Sequence, residues 1–192
     1  MQRGCFGVYL LVGCFFLTTS AATAQEVVHA LCGTIRSINS TDKTITISTG
    51  TGNGTPKLFN EVTKSNVALD FDKRIRAEAT TADTFTKSGV RVIVYYFWDG
   101  NLQTAVAFQD LGPGPFEESN GTVVRFDKHT RVLTLKKKSG SEESFHLSQK
   151  TVAETPYGAV EALELDAKDG DQMQVTASSV DGNDTALFIR AG

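Results

Sequence analysis

Residues 44–48 read Thr-Ile-Thr-Ile-Ser, which places Ile45 and Ile47 on one side and the hydroxyl residues on the other. A period of two is the signature of a strand with one buried face. The polar run 39–43 before it reads as a turn, and the Gly/Thr/Asn-rich stretch 50–56 after it as a loop. Residues 90–98 form a β-branched and aromatic run closed by Asp99-Gly100, a hairpin signal, with 103–108 as the returning strand. The second half repeats the texture, with strands expected at 122–126, 132–136, 143–147, 172–177 and 185–190. Between its third and fourth strands, 153–165 has room for a short helix. The corresponding excursion in the first half, 67–84, is longer.

The two halves match in order. Gly33-Thr34-Ile35 and the strand ending at Ile47 align without a gap onto Gly121-Thr122-Val123 and the strand ending at Leu135, at a constant offset of 88 residues. Further on, Gly89 matches Gly170, Asp99-Gly100-Asn101 matches Asp181-Gly182-Asn183, and Ala105 matches Ala186. Gly112-Pro113-Gly114-Pro115 lies between the halves and reads as a linker. Such self-similarity predicts a duplicated unit. The expected organisation is a leader at 1–24, a first barrel at 25–111, a linker at 112–116 and a second barrel at 117–192.

Five or so strands per half, with a variable excursion after the third, predict an all-β protein of two tandem small OB-like β-barrels. Closure removes the exposed sheet edges that a core of this size protects poorly. The pattern of Gly-Thr-Ile/Val, a turn, apolar-Thr-apolar, then Gly-x-x-Val/Met-x-Val and an Asp-Gly turn resembles a group of bacterial secreted OB-like tandem repeat domains of unknown function. The resemblance spans most of both halves but rests on turn and core positions. It implies a tandem barrel and an exported protein, and it implies no activity and no functional residues.

The N-terminus carries its own pattern. Arg3 precedes an apolar run at 5–17, and Ala22-Thr23-Ala24 fits the small-x-small rule of signal peptidase. The run is short of the roughly 20 residues that span a bilayer, so cleavage after Ala24 is expected, leaving no stable transmembrane anchor. Leu11-Val12-Gly13-Cys14 offers a competing lipobox in which Cys14 is lipidated, although Phe15-Phe16-Leu17 prolong the apolar run where a lipoprotein usually turns polar. Cleavage after Ala24 leaves Cys32 as the mature chain's one cysteine, which is expected to be buried rather than bridged.

Charge and composition narrow the function. The full chain of 192 residues has 19 basic and 22 acidic residues, and loss of Arg3 leaves 18 against 22. That balance argues against nucleic acid as a partner. Lys136-Lys137-Lys138 is the one basic run, followed at once by Glu142-Glu143, and reads as a charged hairpin end that resists edge pairing. His29, His129 and His146 share no metal-ligand spacing, and Met173 and Trp98 fall in different halves. The acidic group Glu161, Glu164, Asp166, Asp169 and Asp171 does not follow the EF-hand spacing and reads as a solvated loop. No nucleophile elbow or phosphate-binding loop occurs.

One stripe stands out. By the internal alignment, Val92, Val94 and Tyr96 match Met173, Val175 and Ala177 and belong to the core face. Ile93, Tyr95 and Phe97 match Gln174, Thr176 and Ser178, so the first half carries an apolar stripe where the second is polar. Such a stripe marks a possible interface. The expectation is a secreted or periplasmic, non-enzymatic binding or structural module of the cell envelope, without cofactor, whose partner is an envelope protein or polymer. The alternative is a periplasmic carrier of a small ligand or metal ion.

Overall fold

The computed structural model describes residues 25–50, 56–61, 67–180 and 182–192. The leader, Cys14, Asp181 and most of the 50–56 loop lie outside the described residues. The chain runs β1 (Glu26–Val27), β2 (His29–Asn39), β3 (Thr44–Thr49), β4 (Pro56–Glu61), β5 (Leu69–Asp70), α1 (Lys73–Ala77), β6 (Thr80–Thr81), β7 (Arg91–Asp99) and β8 (Leu102–Asp110). It continues through β9 (Phe116–Asp127), β10 (Val132–Lys136), β11 (Glu142–Thr155), β12 (Gly158–Glu161), β13 (Gln172–Val180) and β14 (Asn183–Ala191).

The fold is all-β, with two barrel-like units. In the first, β4-β3-β2-β7-β8 are neighbours in that order, and β4 and β8 pair in parallel to close the circuit. In the second, β10-β9-β13-β14-β11 closes through β10–β11. Each circuit therefore joins its first strand to the second and fourth, and its third to the fifth in parallel, which is the OB order. Short β6 and β12 add to the edges.

The alternation of side chains builds each core. Ile35, Ile45, Ile47, Phe59, Val92, Val94 and Phe108 fill the first barrel. Val123, Leu133, Leu135, Phe145, Val175 and Ile189 fill the second. Local irregularities recur at matching places. The β2–β3 register slips between Ile35 and Ser37, and the β9–β10 register slips between Val123 and Arg125. Lys43 and Arg131, also 88 residues apart, both take left-handed backbone (φ 51° and 56°) in the first hairpin of each barrel. Gly33 and Gly121 sit where the strongly coiled first strand crosses the second: a Cβ would lie 2.6 Å from the Ser48 carbonyl oxygen and 2.8 Å from that of Lys136.

The segment 153–165, which had room for a short helix, is mostly strand. β11 continues to Thr155, turns back into β12, and only Ala162–Glu164 forms a single 3-10 turn. Pairing wins because β11 has a use on both faces: Ala153 enters the second core while Val152 faces the other barrel. Thr155 Oγ1 donates to the Gly158 carbonyl at 2.9 Å and accepts from Tyr157 N–H at 3.1 Å, which fastens the turn.

A third apolar cluster joins the barrels. Ala30, Cys32, Ile93, Tyr95 and Ala107 on the outside of the first barrel pack with Val152 and Phe188 of the second, and with Val28 and Ile75. Ile75 comes from α1, whose N-terminus is capped by Asp72 accepting from Arg74 and Ile75 N–H. Polar links surround this cluster. Arg74 meets Glu161 at 3.2 Å, Lys150 meets Glu78 at 2.7 Å, and Arg91 pairs with Glu118.

Candidate binding site

Ile93, Tyr95 and Phe97 are all buried, at 0%, 0% and 3% exposure. Ile93 and Tyr95 lie in the cluster between the barrels, and the Tyr95 ring packs 5.1 Å from that of Phe71. The Tyr95 hydroxyl donates to Gln109 Oε1 at 2.6 Å, and burial pushes its pKa well up. Val92, Val94 and Tyr96 point into the first core. Ile93 and Tyr95 are thus covered within the chain, by α1 and the second barrel, and Phe97 is buried as well.

Other residues singled out in the sequence disperse. His29 Nδ1 lies 2.7 Å from Glu154 Oε1, across the junction. The other oxygen of Glu154 accepts from Ala30 N–H at 2.6 Å. Burial raises the Glu154 pKa, only partly offset by the Ala30 N–H and by His29. His129 is exposed in a turn, and His146 is exposed on β11. Met173 belongs to the second core, and Trp98, half exposed, packs edge-on against Tyr96 at 6.1 Å. Of the acidic group, Glu161 turns to Arg74, and Asp171 accepts from Lys168 N–H at 2.8 Å. Among the described residues no three His, Cys, Asp or Glu groups converge.

Cys32 is buried at the junction, where loss of solvation pushes its thiol pKa up. That keeps it a protonated, inert thiol. It borders a small cavity of about 160 Å³ shared with Thr176, Phe188, Glu118, Gln174 and Arg190.

The last three of these residues also line a much larger feature, an open trough of about 1030 Å³ on the second barrel. Its origin lies in the register of four strands. Across β11, β14, β13 and β9, Glu154, Arg190, Gln174 and Asn120 are successive cross-strand neighbours. The adjacent row is Val152, Phe188, Thr176 and Glu118. The second row lies under the first barrel; the first emerges from it. Beyond, Gln172 donates to Thr122 Oγ1 at 2.6 Å, and the β10 end with Lys136, Lys137 and Lys138 forms the far wall. The floor is amide and hydroxyl; the walls are basic.

Glu118, which lines the trough, and Glu143, behind Lys137, are both engaged. Glu118 accepts from Arg91, and Glu143 accepts from Ser119 and pairs with Lys137 at 2.9 Å. Lys136, Lys138 and Arg190 are exposed, and none of the three closes an ion pair within the described residues. The sequence shows the lysine run but not its setting. Arg190, Gln174 and Asn120 come from three strands far apart in the chain. The one signal is that Gln174 and Asn120 are polar at places where the first half has Ile93 and Cys32, whereas Arg190 answers to Gln109, itself polar.

No protein-family model matches the chain, and no curated protein matches it.

Proposed function

We propose that the chain is an exported, non-enzymatic binding module of the cell envelope that holds its partner in the trough of the second barrel. The carrying observation is that the two barrels are joined by an apolar and ionic junction, yet one broad concave face with unpaired cations is left uncovered. A protein that spends its apolar outer surface on internal packing and keeps such a concave face open is built to present that face. The leader pattern at 1–24 supports export, and the matched bulges, turns and glycines support descent of both barrels from one duplicated unit.

The test fills the trough. Asn120→Trp and Gln174→Trp leave the core untouched, because both side chains point out of the second barrel. Native envelope is fractionated from cells carrying wild type or the double variant at matched expression. The wild type should be retained on the envelope and the variant released with the soluble fraction. Equal retention of both would overturn the assignment of the trough.

A further inference from the structure

We propose that the trough takes an acidic polysaccharide, an extended polyhydroxylated chain bearing carboxylate or sulfate groups. The proposal rests on the reading of the trough as the binding site and names its ligand class.

Three observations carry it. First, Lys136, Lys138 and Arg190 are unpaired cations on one concave surface of a chain with an acidic excess. Of the carboxylates around them, Glu118 is held by Arg91, Glu143 by Lys137 and Ser119, and Glu154, the cross-strand neighbour of Arg190, by His29 and the Ala30 N–H, which leaves three unpaired cations against the free carboxylate of Glu142. Glu142 faces Lys136 across the hairpin without closing an ion pair.

Second, the floor between the cations offers Asn120 and Gln174 side by side in register. Each primary amide presents both donors and an acceptor, the complement of a chain of hydroxyls. Third, the trough has no aromatic lining. Bases of single-stranded nucleic acid bind by stacking on aromatic side chains, which the lining does not offer. A volume of about 1030 Å³, open along its length, suits a few residues of a longer polymer.

The experiment measures binding of the 25–192 chain to polygalacturonate, heparin, dextran and oligo(dT) by affinity electrophoresis and calorimetry. The first two probes separate carboxylate from sulfate. Dextran is the uncharged glycan, and oligo(dT) the polyanion without hydroxyls along its chain. Polygalacturonate or heparin should bind and weaken roughly tenfold or more between about 50 and about 200 mM salt, as expected for about three phosphate-like contacts. Lys136→Gln/Lys138→Gln/Arg190→Gln should lose that binding with an unchanged melting temperature. Lys136→Glu/Lys138→Glu, which leaves Arg190 in place, should lose it too. Lys57→Gln/Lys73→Gln in the first barrel should leave it intact.

Equal binding by the trough variants would overturn the proposal. So would binding of dextran as tight as that of either acidic glycan, or tighter binding of oligo(dT). If no probe binds but Asn120→Trp/Gln174→Trp still releases the protein from native envelope, the ligand class is wrong and the binding module stands. If neither effect is seen, both fall.

Discussion

Arg91 of the first barrel donates to Glu118 of the second, and both side chains are largely withdrawn from water, at 7% and 15% exposure. A further nitrogen of Arg91 donates to the Gly50 carbonyl at 3.2 Å, and its guanidinium lies 5.6 Å from the Phe116 ring centre. Its Nε is buried and has no partner within the described residues. Removing the cation alone strands a shielded carboxylate. Arg91→Met should therefore cost roughly 3–5 kcal/mol in denaturant unfolding, and Arg91→Met/Glu118→Leu should recover much of it. A double variant no better than the single one would mean that the guanidinium acts through packing on Phe116 instead.

Gly33 and Gly121 should respond alike. At each, a Cβ would run into backbone of the neighbouring strand, which cannot swing aside as a side-chain tip does. Gly33→Ala and Gly121→Ala should each destabilise by roughly 1–3 kcal/mol through overpacking. Thermal melts of the two variants give the answer, and a neutral substitution at either would show that its strand crossing is loose.

Tyr95→Phe keeps the ring in the junction but leaves Gln109 Oε1 without its buried donor. The expected loss is about 1–3 kcal/mol, the cost of a stranded polar group. Tyr95→Thr/Phe97→Ser, which copies the second half, removes apolar bulk as well and should cost more while keeping the strand content by circular dichroism.

Two carboxylates set opposite pH trends. Asp127 accepts from Thr130 and His129 N–H and from Arg125, which holds its pKa well below the usual carboxylate range. Its contribution is present above the unfolded value and is lost as pH falls through the depressed folded value. Glu154 is raised by burial, so its contribution is present below the unfolded value and is lost as pH rises through the folded one. Asp127→Ala should flatten the acid limb of the stability profile, and Glu154→Gln should shift stability upward at neutral pH relative to acid. An unchanged acid limb in Asp127→Ala would show that the turn holds without its cap.

If the leader reading is right, exported protein begins at Gln25, and intact mass decides between that end and a lipidated Cys14. A chain starting at Cys14 would be tethered to a membrane through its lipid.

Period-two runs such as 44–48 and 132–136 were legible because each strand has one wet face and one dry face. Strand β11 (Glu142–Thr155) was legible only in part, as 143–147. Its pairing with β14 breaks between Leu147 and Val152, where Ser148 and Thr151 bond locally, and beyond that point both faces are used. The face of Ile93 and Tyr95 followed from comparing the halves, since alternation alone does not say which side is core. The trough was hidden because its row of neighbours is a property of register between distant strands, and the lysine run looks the same in sequence whether it caps a hairpin or walls a groove.

The N-terminal end of β2 extends past β3, so its outer backbone groups need partners from elsewhere. Ala30 N–H finds Glu154, and the Val28 carbonyl accepts from Ala159 N–H at 2.8 Å. The first of those partners lies 124 residues later in the chain, and the second later still. A polypeptide delivered from its N-terminus onward can therefore close the β4–β8 circuit of its first barrel while the N-terminal end of β2 still waits for residues 154–159, so the earliest segment to appear is locked late. During that interval the apolar junction face stays uncovered, the stage at which a holding chaperone would matter most.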